Sequence, residues 1–126
     1  MNLFEWKNNV WLFVGVLFAC FAVSSGVRFW QLETWKCHQR MTLNLIVPFG
    51  MVRFVFYSSE HSNEPRVDDI GVENYARLTI PPGIWFGFQG KATGSSLIMN
   101  VANIVHDPEE VLHKPVSDFF YDWNHG

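Results

Sequence analysis

Three side chains of one short segment have the types and spacing that acid–base chemistry on an anionic ligand requires. Lys36, His38 and Arg40 lie two residues apart within Trp35–Thr42 (WKCHQRMT), and residues at this spacing in a strand point to the same face. An imidazole is suited to act as a base, and the flanking cations are suited to bind a diphosphate or a sugar enolate. The alternative interpretation is a solvated edge strand, whose charges prevent edge pairing.

Three further residues are candidates for ligand contacts. Asn44 continues the even spacing of Arg40, and its amide could either bind a polar group or lie satisfied at the sheet surface. Tyr75 and Trp85 carry rings that could stack on a base or a sugar, although aromatic residues at strand spacing more often belong to a core. We therefore treat these three as substrate-binding candidates beside Arg40, and Lys36 and His38 as catalytic candidates.

The histidines and cysteines do not form a metal-binding pattern. The candidate strand offers one imidazole, and one imidazole cannot hold a first-row metal ion. The remaining histidines are scattered along the chain, at His61, His106, His113 and His125. Cys20 and Cys37 lie in contrasting contexts, which favours two free thiols in a reducing compartment. We expect no metal and no other cofactor.

The charge distribution argues against a nucleic-acid partner. The chain has a formal net charge of −3, with 9 Lys and Arg against 12 Asp and Glu, and its cations are scattered singly. A nucleic-acid-binding surface requires a basic stripe or cluster. We therefore expect no nucleic-acid ligand.

The elements that must position these side chains are short strands. Met41–Val47 (MTLNLIV) and Met51–Tyr57 (MVRFVFY) alternate apolar residues along one face, as half-buried strands do. The tight link between them, Pro48-Phe49-Gly50, predicts that the two strands form a β-hairpin. The polar stretch Ser58–Asn74 is expected to be a surface loop.

The second half of the chain continues the pattern. Strands are predicted at Leu78–Ile80, Ile84–Gln89 and Leu97–Ile104, and one helical turn is predicted to follow an Asp107 cap with Pro108 as its first residue. The two acidic residues of that turn are expected to be stabilised by the helix dipole. Several short strands about ten residues apart indicate an all-β antiparallel barrel or sandwich.

Five motifs resemble, in the same order, those of the dTDP-4-dehydrorhamnose 3,5-epimerase family and its relatives. Ile80–Phe88 (IPPGIWFGF) resembles the family's VPPG-x-x-HGF turn and strand. The other motifs are Trp35–Thr42, Val47–Phe54 (VPFGMVRF), His106–Glu110 (HDPEE) and Tyr121–Trp123 (YDW). The resemblance implies a cupin-type jelly-roll barrel that acts on thymidine-diphosphate keto-sugars.

The resemblance also implies a catalytic set, and this chain departs from it. Family members use a His as base, a Tyr as acid and a Lys that stabilises the enolate oxygen. Alignment places Lys36 in the position of the base, Met99 in that of the acid and Phe86 in that of the HGF histidine. If the alignment is shifted by two residues, His38 takes the position of the base. We therefore expect altered catalytic equipment.

The N-terminal segment is the compositional exception. Residues 8–27 carry no charge, and twenty such residues can cross a bilayer as a helix. A membrane anchor, a cleaved signal and an element that completes the barrel all remain open. We divide the chain into residues 1–27, this apolar segment, and residues 28–126, the cupin-like domain.

Two functions follow from these observations. The first is a nucleotide-sugar epimerase or isomerase, acting on a dTDP-4-keto-6-deoxy sugar in polysaccharide or deoxysugar synthesis. The alternative is a non-catalytic cupin module that binds a sugar nucleotide or a protein partner. The resemblance and the aromatic content predict a homodimer, located in the cytoplasm and associated with a membrane if residues 8–27 form an anchor.

Overall fold

Two antiparallel sheets make up the part of the protein that the computed structural model describes, residues 34–58 and 64–124. One sheet has five strands in the order β4-β3-β6-β1-β8, and the other has three in the order β5-β2-β7. The strands are β1 Trp35–His38, β2 Leu43–Phe49, β3 Met51–Tyr57, β4 Arg66–Gly71, β5 Leu78–Ile80, β6 Trp85–Gly90, β7 Leu97–Asn100 and β8 Val111–Lys114. Two short 3-10 turns, Pro108–Glu110 and Val116–Asp118, complete the elements. The prediction of an all-β fold is confirmed.

The alternating apolar residues face the space between the sheets. Leu43, Leu45 and Val47 of β2 are buried, and so are Val52, Phe54 and Phe56 of β3. These side chains join one core with residues of β4 to β7. The sequence pattern therefore identified the inner faces of β2 and β3 correctly.

The predicted β-hairpin between β2 and β3 is wrong. β2 pairs with β5 and β7, whereas β3 pairs with β4 and β6 in the other sheet. Gly50, with a φ of 79°, turns the chain from one sheet to the other, and a β-carbon at this position would overlap Ser96. Alternation shows which face of a strand is buried but does not identify the strand's partner.

The predicted surface loop Ser58–Asn74 is also wrong in part, because Arg66–Gly71 forms β4. This strand pairs with β3 from Met51↔Gly71 to Phe56↔Arg66. Three of the charges that suggested a loop, Arg66, Asp68 and Asp69, lie on this edge strand. Arg53 of β3 forms a bidentate ion pair with Asp69 at 2.7 and 2.6 Å. An edge strand with one polar face tolerates such charges.

The later elements agree with the sequence in part. The turn at Pro108–Glu110 is present, and its Asp107 cap accepts a hydrogen bond from the Glu109 amide at 3.0 Å. β7 ends at Asn100, four residues before the predicted end. β8 was not predicted, and it pairs along the whole length of β1.

The C-terminal residues cover the outer face of the five-stranded sheet. Trp35 is fully buried there, and its indole nitrogen donates to the Val116 carbonyl at 3.1 Å. The Tyr57 hydroxyl donates to the Phe120 carbonyl at 2.6 Å, and the Tyr57 ring stacks on Phe119. This packing fixes the back of β1, the strand whose other face carries the candidate site.

The predictions for the N-terminal segment, including the anchor and the domain boundary at residue 27, lie outside the described residues. Among the residues that are described, no helix has the length and apolar character needed to cross a membrane.

Candidate functional site

A cavity of about 460 Å³ lies between the two sheets. Its volume is within the range of small-molecule sites in proteins. The described lining is mainly apolar, and its polar members come from β1, β7, β8 and the segment before the 3-10 turn: Lys36, His38, Asn100, His106 and His113. None of the described lining residues is an Asp or a Glu.

Strand β1 divides its side chains between this cavity and the outer face. Lys36 and His38 line the cavity, while Trp35 and Cys37 are buried on the opposite side. The turn at Pro81-Pro82-Gly83 holds the end of the strand, because the Gly83 amide donates to the His38 carbonyl at 2.8 Å. The motif that suggested a family resemblance thus positions the candidate base.

His38 is paired with a buried carboxylate. Its Nδ1 contacts Oε1 of Glu110, and only 12% of the His38 side-chain surface is exposed. The second oxygen, Oε2, accepts backbone hydrogen bonds from Gln39 and Arg40 at 3.0 Å and from Met41 at 3.4 Å. Glu110 therefore anchors both the imidazole and the backbone that follows it.

The pKa of Glu110 is lowered despite its burial. Burial alone would raise the pKa, but the hydrogen bonds from His38 and from the backbone of Arg40 and Met41 favour the charged carboxylate more strongly. An ionised carboxylate can only accept hydrogen bonds, so Nδ1 of His38 carries a proton toward it. The other ring nitrogen, Nε2, has no hydrogen-bond partner among the described residues and is the nitrogen that can act on a ligand.

Lys36 is a cation in apolar surroundings. Its Nζ lies 5.8 Å from the centre of the Phe88 ring, and no carboxylate lies within ion-pair distance in the described part of the chain. The three arginines of the salt bridges, in contrast, each have an aspartate partner: Arg40, Arg53 and Arg66. A charge left without a partner in an apolar cavity is unfavourable unless a ligand compensates it.

Two more imidazoles line the cavity. His113 of β8 lies directly opposite Lys36 in the β1–β8 register, and its Nδ1 is 3.3 Å from the Thr34 hydroxyl. His106 lies in the segment before the 3-10 turn. Both residues are exposed, so they mark the side of the cavity that is open to solvent.

Arg40 and Asn44 do not line this cavity. β1 ends at His38, and the guanidinium of Arg40, with 64% of its side-chain surface exposed, binds Asp107 at 2.7 Å. The Asn44 amide donates to the Val101 carbonyl at 3.0 Å and accepts from the Thr79 hydroxyl at 2.9 Å. Asn44 thus joins β2 to its two neighbours.

Trp85 and Tyr75 also lie elsewhere. Trp85 packs with the aromatic residues of the outer face, where the Lys114 ammonium lies 4.7 Å from its ring centre. Tyr75 follows β4 and is 65% exposed. Of the six residues selected from the sequence, the structure brings Lys36 and His38 together in the cavity.

No tyrosine lines the cavity. The chain has three, all of them described: Tyr57 and Tyr121 belong to the outer aromatic cluster, and Tyr75 is exposed. Met99, aligned with the expected acid, is absent from the described lining, and Phe86 is part of it. Phe86 stacks against His38, with ring centres 6.1 Å apart.

Metal ligands and a reactive thiol are not part of the described site. The described residues include no cluster of three His, Cys, Asp or Glu side chains suited to a metal ion. Burial raises the pKa of the Cys37 thiol, so Cys37 stays protonated and is a poor nucleophile.

Sequence reasoning missed Glu110 and His113. Glu110 was interpreted as a structural residue of a helical turn, stabilised by the helix dipole, whereas it is 3% exposed and paired with His38. The available signal was its place in the HDPEE motif of the family resemblance. His113 was missed because β8 was not recognised as a strand. Only the pairing of β8 with β1 brings both residues beside the candidate strand.

Of the comparisons with known proteins, only that with solved structures finds similar proteins, and these agree on the fold. No protein-family model and no curated protein sequence matches the chain. Among solved structures, a dTDP sugar isomerase from Desulfovibrio desulfuricans G20 is similar to this chain, with a TM-score of 0.63 and 28% identity over 73% of the chain. The chain spans 63% of that isomerase's length.

Two further structures share the fold at lower identity. A dTDP-4-dehydrorhamnose 3,5-epimerase from Sulfolobus tokodaii has a TM-score of 0.56 and 22% identity, covering 71% of this chain and 53% of its own. A mutant of the 3,4-ketoisomerase QdtA from Thermoanaerobacterium thermosaccharolyticum, in complex with TDP-4-keto-6-deoxyglucose, has a TM-score of 0.53 and 18% identity, covering 64% and 54%. The chain therefore has the cupin-type jelly-roll fold of dTDP-sugar isomerases and epimerases, which confirms the resemblance seen in the sequence.

Proposed function

We propose that this chain is a dTDP-4-dehydrorhamnose 3,5-epimerase-like protein, an epimerase or isomerase of a dTDP-4-keto-6-deoxy sugar in deoxysugar or polysaccharide synthesis. The observation that carries the proposal is that His38 lines the cavity beside Lys36 and is paired with the buried carboxylate of Glu110. The cupin-type fold supports it, because a fold shared with dTDP-sugar isomerases raises the prior for this chemistry.

The proposed chemistry begins with removal of a proton from the carbon beside the ketone. Nε2 of His38 takes the proton, and Glu110 stabilises the imidazolium that forms while fixing the orientation of the ring. The electrons of the broken C–H bond move onto the ketone oxygen, and the Lys36 ammonium stabilises the resulting enolate. Lys36 is half-buried and lies beside the Phe88 ring, which reduces the contact of its charge with water and strengthens this interaction.

The missing tyrosine favours isomerisation over epimerisation within this proposal. Epimerisation requires an acid that returns a proton to the opposite face of the sugar ring, and no tyrosine lines the cavity. A shift of the ketone to the adjacent hydroxyl-bearing carbon can use one base, which removes the proton of that carbon and returns it to the former ketone carbon, while the hydroxyl proton passes to the former ketone oxygen. Roles for Arg40, Asn44, Trp85 and Tyr75 in substrate binding stay sequence predictions.

The direct test follows the sugar protons by NMR while the protein is incubated with dTDP-4-keto-6-deoxyglucose in heavy water. Loss of the carbon-3 proton with deuterium at carbon 4 of a new 3-keto isomer supports isomerisation, and exchange at carbons 3 and 5 without a new keto isomer supports epimerisation. The absence of both exchange and any new keto isomer, with the full-length chain folded by circular dichroism, would overturn the enzymatic proposal.

The second candidate function is a non-catalytic module that binds a sugar nucleotide. The specific observation in its favour is again the lack of a tyrosine among the lining residues. A rise in melting temperature with dTDP, in the absence of exchange into the keto sugar, would support this candidate. No change with dTDP would argue against both functions.

A further inference from the structure

The cavity is polar on one side and apolar in its interior. Two of its polar lining residues, His106 and His113, are exposed, and Lys36 is half-buried. The interior consists of buried side chains of both sheets: Met41, Leu43, Leu45, Phe54, Phe86, Ile98 and Ala102. A ligand that matches this surface has a charged end and an apolar body.

The charge at the polar end is positive and lacks a protein partner. No described lining residue is acidic, and Lys36 has no carboxylate within ion-pair distance among the described residues. The neighbouring Glu110 is already engaged by His38 and by three backbone amides. An anionic group on the ligand would therefore supply the charge that Lys36 lacks.

The interior offers few partners for hydroxyl groups. Asn100 has the only side-chain amide among the described lining residues. Its oxygen accepts a hydrogen bond from the backbone amide of Asn44 at 3.1 Å, and its nitrogen contacts the Met41 sulfur. Hydroxyl groups placed in this interior would lose hydrogen bonds to water without replacing them, so the hydroxyls of a keto sugar would have to stay at the polar side, near Lys36 and His38. A hydrocarbon body would instead gain from burial against Phe54, Phe86 and Phe88.

From this distribution we propose that the cavity binds amphipathic monocarboxylates of medium chain length, with the carboxylate at Lys36 and the alkyl chain in the interior. The proposal does not depend on the proposed isomerase function, because it requires no proton transfer and no nucleotide. It assigns a ligand class to the apolar interior, which the keto-sugar chemistry at His38 leaves unused.

The test is isothermal titration calorimetry of the full chain at neutral pH with hexanoate, octanoate and decanoate, and with acetate and 1-octanol as controls. Binding is expected to strengthen roughly four-fold for each added methylene until the cavity is filled. Acetate lacks the body and should not bind measurably, and 1-octanol lacks the charge and should bind more weakly than octanoate.

Two variants locate the ligand. Lys36→Gln should weaken octanoate binding by about ten-fold or more and leave 1-octanol unchanged, whereas Lys91→Gln, a lysine outside the cavity lining, should change neither. Ala102→Phe places a ring in the interior and should abolish binding of both probes; circular dichroism verifies that each variant is folded.

The proposal is overturned if octanoate does not bind, if chain length has no effect, or if Lys36→Gln leaves octanoate affinity unchanged. Its failure is separate from that of the proposed function, since proton exchange into the keto sugar is measured without any carboxylate present. Proton exchange into the keto sugar without octanoate binding would support the isomerase function and refute the binding of monocarboxylates.

Discussion

The single residue that contributes most to the structure of the site is Glu110. Its buried carboxylate binds the imidazole of His38 and three consecutive backbone amides. A buried charge with this many donors is stable, and removing its charge leaves the donors poorly satisfied. The pKa of Glu110 lies below its ordinary value for the same reason. Local stability and the orientation of the candidate base thus depend on the same group.

Glu110→Gln should destabilise the fold by about 3 kcal/mol at neutral pH. A carboxylate whose pKa is lowered by folding stabilises the protein above its unfolded-state pKa, and this stabilisation is lost as the pH falls through the folded-state pKa. The difference in the free energy of unfolding between wild type and Glu110→Gln should therefore become smaller as the pH falls. Urea unfolding followed by circular dichroism, from neutral pH downward, measures it.

The control is Glu109→Gln, a change at the adjacent and exposed residue, which should alter stability by less than about 0.5 kcal/mol. Equal stability of wild type and Glu110→Gln at neutral pH, or a difference that does not change in acid, would contradict the assigned role.

Among the strands and turns, the sequence predicted the features that neighbouring residues determine, and it did not predict those that depend on distant segments. Alternation predicted the buried faces of β2 and β3 because burial of every second residue follows from strand geometry. It could not predict that Gly50 sends β3 into the other sheet, since strand pairing depends on distant segments. The same limit hid β8 and, with it, the nearness of Glu110 to His38, which lies 72 residues away in the chain.

Gly50→Ala should destabilise the fold by about 2 kcal/mol or more. The left-handed backbone is unfavourable for alanine by about 1–2 kcal/mol, and the added β-carbon would overlap Ser96. Gly83→Ala is the matched variant, because Gly83 has a φ of 85° but open space around it. It should therefore lose only the free energy that the left-handed backbone costs an alanine. Thermal and urea unfolding compare them; an equal loss at both positions would refute the packing of Ser96 against the turn.

The ion pair between β3 and β4 predicts a second contrast. The hydrogen bond from Arg53 lowers the pKa of Asp69, so the pair stabilises the fold at neutral pH and less so as the pH falls through that lowered pKa. Asp69→Asn should cost about 1 kcal/mol. Asp68→Asn, which removes the partner of a largely exposed Arg66, should cost less; a larger loss for Asp68→Asn in urea unfolding would contradict the pairing.

At the scale of the whole molecule, the described residues leave edge strands on both sheets, β4 and β8 on one and β5 and β7 on the other. Exposed edges and apolar residues such as Leu112 of β8, which is 44% exposed, are surfaces through which β-proteins associate. We predict that the full chain forms a homodimer, measured by sedimentation equilibrium. A mass equal to one chain at micromolar concentrations would refute this prediction.

The proposed function depends on His38, which is held by Glu110 and removes a proton from a keto sugar. Mass spectrometry of deuterium incorporation into dTDP-4-keto-6-deoxyglucose tests this role, with the rates of wild type and His38→Asn compared. Removing a general base typically lowers the rate by about 100-fold or more, and Arg66→Gln, on the edge strand β4, should leave it unchanged. We expect measurable deuterium incorporation by wild type and by Arg66→Gln, and loss of incorporation in His38→Asn. Equal incorporation by wild type and His38→Asn would contradict this role.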